Sequence, residues 1–203
     1  MTPRDQMLAT IRNALGPAGS QNEHQPACPA DRARAAATAA QFEESFKVLG
    51  GEVFHAANID EARATIDRIV AGRSYLASPA PIVEACGFST PFSREAAASA
   101  HFGISSADFA LADTGSLVFL SESGESRLIS LLPPHHIAVL EKEKIVSGLD
   151  QLFARVPHPA ARSSSMVIVT GPSRTGDIEM RLVRGVHGPG EVTVIIVDDV
   201  TRR

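Results

Sequence analysis

Cysteine is scarce in this chain. The two cysteines, Cys28 and Cys86, lie far apart and form no C-x-x-C pair. A disulfide framework is therefore not expected, and neither is an iron–sulfur cluster, which usually takes four cysteine ligands. No spacing of histidines and cysteines typical of a zinc site occurs, so we expect no metal and no resident cofactor in this chain.

Long apolar runs and an excess of positive charge are also missing. No stretch approaches the roughly 20 apolar residues of a membrane span, and the N-terminus lacks the apolar core of a signal peptide. The 19 lysines and arginines are outnumbered by 23 acidic residues, giving a formal net charge of −4. Without a basic stripe, nucleic-acid binding is not expected. Together with the few cysteines, these absences predict a cytoplasmic protein.

The length and composition suit one α/β domain with a small appendage, since the chain has 203 residues and 44% hydrophobic content. Residues 2–15 have the pattern of an amphipathic helix, with Thr2 as the cap and Pro3 at the first helical position. A linker rich in Gly and Pro follows. We therefore divide the chain into an N-terminal helical arm and linker over residues 1–30 and a main domain over residues 31–203. The arm docks either on its own domain or on a partner.

Helical and strand patterns alternate through the main domain. Predicted helices cover Asp31–Leu49, Asp60–Val70, Pro81–Cys86 and Glu143–Phe153. Predicted strands cover Glu52–His55, Tyr75–Ala77, Leu117–Leu120 and His136–Leu140. Residues 90–106 are assigned to helix and loop, and Ser106-Ala107-Asp108 to the cap of a short helical turn. This alternation predicts a three-layer α/β domain with a mostly parallel sheet wrapped by helices.

The C-terminal stretch is predicted to form one βαβ unit. Met166–Val169 is an apolar run typical of a strand, and Thr170-Gly171-Pro172-Ser173 interrupts it. A helix is predicted from Thr175, ending at Gly185, and a last strand over Val192–Val197. Because ligands of open α/β sheets bind beyond the carboxyl ends of the strands, the turn is expected there.

The chemistry expected at this turn is anion binding. Gly171 and Gly176 have P-loop spacing, but Asp177 follows where a lysine is needed, and no G-x-G-x-x-G occurs. A glycine turn at a helix N-terminus beside the guanidinium of Arg174 still suits a carboxylate or phosphate. The candidate ligand-binding residues of this stretch are Thr170, Gly171, Ser173, Arg174 and Thr175.

The candidate catalytic residues are His187, Glu179 and Asp177, and each has a structural alternative. Asp177 and Glu179 would lie in the first turn of the predicted helix, where they can serve as a general base, complement the helix dipole or pair with Arg174. His187 stands between glycines and can take the hydroxyl proton of a 2-hydroxy acid. It can equally hold the turn through a hydrogen bond to a carbonyl.

A second candidate loop precedes the Leu117–Leu120 strand. It consists of Asp113, Thr114, Gly115 and Ser116. Polar residues with a glycine at a strand entrance suit a ligand-facing loop, and a plain turn is the alternative. His135 and His136 are adjacent in a predicted strand and point to opposite faces, so they do not form a chelating pair.

These motifs carry a family resemblance. TGPSRTGDIE followed by GVHGP, and preceded by LADTGSLVFL and RLISLLPPHHI, resembles the lactate utilization protein C family (LutC/YkgG, LUD domain), chiefly over Ala107 to Asp198. The resemblance implies a Rossmann-like three-layer α/β/α fold similar to the NagB/RpiA/CoA-transferase group. It also implies a role in oxidising L-lactate to pyruvate with partner subunits that carry iron–sulfur clusters. Asp113 and Ser116 stand where the family pattern often has Glu and Thr, so the charge and the hydroxyl are kept.

Three functional hypotheses follow. The leading one is a subunit of an L-lactate utilisation system that holds no cluster, binds a small carboxylate or phosphorylated ligand at its two motif loops and docks on iron–sulfur partners. The second is a stand-alone NagB/RpiA/CoA-transferase-like enzyme acting on a phosphorylated or CoA-linked metabolite. The third is a non-catalytic ligand-sensing module. The sequence leaves open whether this chain catalyses a step itself.

Overall fold

The structure is a computed structural model that describes residues 2–15, 38–120, 127–159, 163–178 and 181–200. The chain divides into two compact units, Met1–Ala33 and Arg34–Arg203, and each is described by itself. The predicted linker, which includes Cys28, and the candidate residue Glu179 lie outside the described residues. The predicted boundary between arm and main domain stays a prediction.

The first unit contains helix α1 (Pro3–Leu15). Its start follows the sequence expectation, because the Thr2 backbone N–H and hydroxyl both donate to Asp5 Oδ2, at 2.9 and 2.7 Å. The Asp5 backbone N–H donates back to Thr2 Oγ1 at 3.3 Å. This reciprocal arrangement satisfies donors that the first turn of a helix leaves without intrahelical partners.

The described part of the second unit alternates helices and strands. Its helices are α2 (Ala39–Val48), α3 (Ile59–Val70), α4 (Pro81–Ala85), α5 (Arg94–Ser99), α6 (Leu128–Leu131) and α7 (Leu149–Arg155). Its strands are β1 (Glu52–Asn58), β2 (Tyr75–Ala77), β3 (Phe102–Ser106), β4 (Phe109–Leu111), β5 (Ser116–Leu120), β6 (His135–Glu141), β7 (Ile145–Val146), β8 (Met166–Val169), β9 (Arg174–Ile178), β10 (Arg181–Arg184) and β11 (Glu191–Asp199).

A five-stranded parallel sheet forms the centre, in the order β1-β11-β6-β3-β2. Strands β6 and β11 lie inside this sheet and are apolar almost throughout, as strands buried on both faces are. Helix α3 covers one face, where Ile66 meets the side of the sheet that carries Ile104 and Ile195. Helix α2 covers the other face through Phe42 and Phe46. The predicted three-layer α/β class with a mostly parallel sheet is confirmed.

A second, four-stranded sheet in the order β7-β4-β5-β8 lies beside α2 over the same face of the central sheet. Strand β5 pairs antiparallel with both β4 and β8. The continuous helix predicted over Glu143–Phe153 is wrong, because a 3-10 turn, strand β7 and the shorter helix α7 occupy this segment. Ile145 pairs with Ala110 of β4, so contacts distant in sequence override the local helical spacing.

The region before the second sheet also differs from expectation. Residues 102–106 form the buried strand β3 between β2 and β6, where the sequence predicted helix and loop. The helical turn predicted at Ser106-Ala107-Asp108 is absent. The Ala107 N–H donates to the Val139 carbonyl at 2.9 Å and the Asp108 N–H to the Val118 carbonyl at 2.9 Å. These two hydrogen bonds hold the segment that passes from the central sheet to the second sheet. No local sequence pattern predicts them, because both partners are distant in sequence.

The helix predicted from Thr175 is wrong. Strands β9 and β10 form an antiparallel ribbon in which Val183 faces Thr175 and Arg184 faces Arg174. Apolar residues in a short segment match helical and strand spacings almost equally well. Thr175 and Gly176 also have low helix propensity. The predicted βαβ unit is therefore replaced by strand β8, the ribbon and strand β11.

The adjacent histidines lie on opposite faces of β6, as the sequence predicted. His135 Nε2 lies 2.8 Å from Thr193 Oγ1, and its Nδ1 lies 3.2 Å from Glu191 Oε2. On the other face, the ring of His136 is fully buried with Nε2 at 2.8 Å from Ser105 Oγ. Burial, and secondarily the neighbouring His135, lowers the pKa of His136 to about 3.

This buried histidine predicts a loss of stability in mild acid. A histidine whose pKa is lowered by folding binds a proton more readily in the unfolded chain than in the folded one. Its contribution to the free energy of unfolding is therefore complete above the pKa of the unfolded chain and is lost as the pH falls towards 3. For an unfolded pKa of about 6.5, the free energy of unfolding should fall by about 2 kcal/mol between pH 7 and pH 5.

Denaturant unfolding at both pH values measures this effect. His136→Gln should remove most of the pH-dependent loss, whatever its effect on stability at pH 7. The control His158→Gln changes an exposed ring and should leave the loss in place. Equal pH dependence in wild type and His136→Gln would show that this ring does not cause it.

Candidate functional site

The two motif loops meet through three hydroxyl groups. Strands β5 and β8 pair with Leu117 opposite Val169, which places the residues just before β5 beside those just after β8. Ser116 Oγ donates to Thr114 Oγ1 at 2.8 Å and lies 2.9 Å from Thr170 Oγ1. Ser116 is buried, whereas Thr114 and Thr170 are exposed. We call these three residues the hydroxyl chain.

The loops lie at the amino edge of the central sheet, not at the carboxyl edge that the sequence predicted. The Ser173 N–H donates to the Pro189 carbonyl at 2.8 Å, and β11 begins two residues later. Gly171 contacts Leu49, three residues before β1 begins. The expectation failed because β8 belongs to the second sheet, so its end does not coincide with the ends of the parallel strands.

Both loops rest on the last turn of α2. A Cβ on Gly115 would lie 2.5 Å from the Phe46 backbone nitrogen, and one on Gly171 would lie 2.9 Å from Leu49 Cβ. Both glycines also have positive φ, +63° and +81°, which side chains rarely tolerate. Ser45 Oγ donates to the Ala112 carbonyl at 2.9 Å. Glycine is therefore required at both positions for the loops to reach this helix end.

Arg174 is exposed and reaches the same helix end. Its Nη2 donates to the carbonyl of Leu49, the C-cap residue of α2. A cation at a helix C-terminus satisfies a free carbonyl and favours the dipole. The predicted helix N-terminus at Asp177 is absent, because this residue lies in β9. The dipole role suggested for Asp177 is therefore wrong, whereas that of Glu179 lies outside the described residues. Residues 171–178 offer no helical N–H groups to an anion.

His187 and Ser173 lie together beside Arg174. The His187 backbone N–H donates to Ser173 Oγ at 3.3 Å, and the Gly185 N–H donates to the Ser173 carbonyl at 3.1 Å. The first bond uses the backbone of His187, the second does not involve His187, and His187 is exposed. The turn is thus held without the imidazole, and the catalytic role of this ring stays a prediction.

The remaining candidates are divided between the loop and the ribbon. Asp113 is exposed, and its backbone N–H donates to the Ser147 carbonyl at 3.1 Å. Thr175 lies in β9 opposite Val183. Sequence reasoning missed Ser45 and Leu49, which support the two loops. No motif marks them, because their role depends on where α2 ends and not on their chemistry.

The described part of the chain has neither a cluster of potential metal ligands nor a helix that could span a membrane. Over residues 2–15, 38–120, 127–159, 163–178 and 181–200, no group of three or more His, Cys, Asp or Glu side chains is placed to hold a metal ion. Over the same ranges, no helix has both the length and the apolar character needed to cross a membrane.

The parallel sheet with helices on both faces defines a Rossmann-like, three-layer α/β domain. A sequence model of the LUD domain matches residues 87–197. That match covers more than half of the chain, and the chain belongs to the LUD domain family.

Curated relatives agree with this family. The chain is 40% identical over 109 residues to lactate utilization protein C of Halalkalibacterium halodurans, covering 52% of this chain and 47% of that protein. It is 39% identical over 104 residues to lactate utilization protein C of Macrococcus caseolyticus, covering 49% and 45%. The chain spans about half the length of the curated relatives it matches.

A solved structure supports the fold. The crystal structure of a DUF162 family protein from Deinococcus radiodurans matches with a TM-score of 0.59 and 21% sequence identity, covering 78% of this chain and 94% of that chain. At this identity the likeness concerns the fold alone.

The close approach of Gly115 to α2 can be tested with a matched glycine. Gly72 also has a positive φ, +76°, but nothing lies within 4 Å of a Cβ built there. Gly72→Ala should lower the free energy of unfolding by only about 1 kcal/mol, the cost of placing a side chain at positive φ. Gly115→Ala adds a clash with the backbone of α2 and should lower the free energy of unfolding by at least about 2 kcal/mol more. Equal losses in denaturant unfolding would contradict the contact.

Proposed function

We propose that this chain serves in lactate utilisation as a subunit without an iron–sulfur cluster, working with cluster-bearing partner subunits. The names of its relatives support the pathway. The composition supports the division of labour, since the chain has two cysteines and Cys86 is buried. Burial raises the pKa of the Cys86 thiol to about 11, which disfavours the thiolate that a cluster needs.

The amino-edge loops would bind a small carboxylate or phosphorylated ligand. The observation that carries this proposal is the contact between Ser116 and Thr170, because it joins the two motifs into one surface. The exposed Arg174 reaches the end of α2 on which both loops rest. Its planar guanidinium can bind a carboxylate through two parallel hydrogen bonds. L-lactate and pyruvate both have the carboxylate that such a site recognises.

Oxidation of L-lactate to pyruvate removes two electrons and two protons. In this proposal the two electrons pass to the clusters of the partner subunits, where the C2 proton is also released, and the chain described here binds and orients the carboxylate and accepts the hydroxyl proton. The exposed His187 is the candidate acceptor of the hydroxyl proton, because imidazole exchanges protons near neutral pH. Asp177 and Glu179 are the alternative bases.

Reconstitution tests the division of labour. The purified chain alone should not reduce an artificial electron acceptor with L-lactate, whereas the chain co-purified with its cluster-bearing partners should. Turnover of L-lactate by the isolated chain would refute the proposal. Failure to co-purify with any cysteine-rich partner would argue against the assembly.

Arg174→Gln tests the anion site. A ligand present at about 100 times its dissociation constant should add roughly 2.7 kcal/mol of stability, so lactate, pyruvate and phosphate can be screened by thermal shift. Arg174→Gln should reduce the shift for every anion that binds wild type. Arg155→Gln is the matched control, since Arg155 is also exposed and its Nη1 donates to a backbone carbonyl, that of Glu143. Equal shifts in both variants would exclude Arg174 from the site.

A further inference from the structure

Strand β1 forms one edge of the central sheet. In the described part of the chain it pairs with β11 on one side only. The backbone groups of a strand point alternately to its two sides. The Ala57 N–H donates to Glu61 Oε2 at 2.9 Å and not to β11. The N–H and C=O groups of residues 53, 55 and 57 therefore point away from the sheet.

The chain itself closes both ends of this outer edge. At the amino end, the Gly51 N–H donates to the Phe46 carbonyl at 3.2 Å. At the carboxyl end, the Ala57 N–H is bound by a carboxylate. Among the described residues, the outward N–H groups of β1 that remain for another strand are those of Val53 and His55. An open edge of this kind accepts an extended strand through backbone hydrogen bonds.

We propose that β1 pairs antiparallel with β1 of a second copy of this chain, which joins the two central sheets across a twofold axis. Val53 of each copy then lies opposite His55 of the other, and Phe54 lies on the axis. Each of these two opposite pairs exchanges two hydrogen bonds. Shifting the register by two residues in either direction would direct a carbonyl at the Gly51 or Ala57 N–H, which is already bound.

The charges on the α2 face of this edge are complementary to those of a second copy. The Glu43 carboxylate lies 2.8 Å from His55 Nε2 and forms an ion pair with Lys47. Helix α2 ends just before β1 begins, so Lys47 lies beside the start of the strand. In the proposed register, the start of one strand lies beside His55 of the other copy. Lys47 of each copy therefore approaches Glu43 of the other.

The α3 face is complementary in the same register. Arg68 stacks over the ring of Phe54, with Cζ 5.7 Å from the ring centroid. The two Phe54 rings meet at the axis, where the strands form a non-hydrogen-bonded pair and side chains are closest. Glu52 of the second copy lies diagonally across from Phe54, within reach of Arg68. Each guanidinium thus meets a carboxylate, which offsets the repulsion between the two arginines.

Light scattering over a range of protein concentrations tests the association. Wild type should reach twice the 21.5 kDa mass of one chain and dissociate on dilution. His55→Pro removes an outward N–H, which an edge strand tolerates. The dimer loses two hydrogen bonds, so its dissociation constant should rise about a hundredfold. His55→Ala also removes the imidazole but keeps the N–H, and should raise this constant by less than about tenfold.

Cysteine cross-linking tests the register, in a Cys28→Ser background with the native Cys86 buried. The two Cα atoms at position 54 should lie about 4.5 Å apart, so Phe54→Cys should form an intermolecular disulfide on mild oxidation. Glu52→Cys is the exposed control. Its two Cα atoms are offset by four residues, or roughly 14 Å along the strands, whereas a disulfide spans at most about 7 Å.

Each contrary result has a distinct meaning. A monomeric wild type at every concentration would overturn the proposal and leave the edge for a strand of another protein. Equal dissociation constants for His55→Pro and His55→Ala would show that the copies associate through a different surface. Faster cross-linking of Glu52→Cys than of Phe54→Cys would overturn the register. If circular dichroism shows that His55→Pro does not fold, the two cysteine variants decide the question.

Discussion

The last turn of α2 is the contact on which the candidate site depends. Three glycines approach it so closely that any side chain would clash: Gly51 against the ring of Phe46, Gly115 against the Phe46 backbone and Gly171 against Leu49. The ring of Phe46 is itself fully buried in the core between α2 and the central sheet. Packing in the core therefore fixes the helix end, and the helix end fixes both loops. Close-packed interiors transmit such constraints because they deform little.

Each of the two sheets positions a different part of the candidate site. The central parallel sheet supplies the starts of β1 and β11, against which the turn with Ser173 and Arg174 is held. The smaller sheet supplies the antiparallel pairing of β5 with β8, which brings Ser116 to Thr170. Neither sheet alone would bring both motif loops to the end of α2. This is why the two motif loops lie at the amino edge, away from the carboxyl edge where ligands of open parallel sheets are generally found.

Much of the main domain could be predicted from local patterns. The helix Ile59–Val70 follows the spacing of Ala62, Ile66 and Val70, and the central strands follow their apolar runs. The predictions failed where pairing with distant residues overrides local preference. Ile145 joins β4 instead of continuing a helix, and residues 102–106 become a strand because β2 and β6 flank them. The apolar residues of segment 174–184 are spaced in a way that suits a helix or a strand. The antiparallel pairing of β9 with β10 makes the segment a ribbon.

The sequence alone was sufficient for the family and for the α/β class, and it predicted that both motif loops belong to one region. These properties depend on the order of residue types along the chain, which can be read without knowing how the chain folds. The position of that region and the roles within it required the tertiary structure. Arg174 binds the end of α2, and Ser116 contacts the hydroxyl groups of both Thr114 and Thr170. Such contacts join residues up to 125 positions apart, and only the packing of α2 and the two sheets brings them within bonding distance.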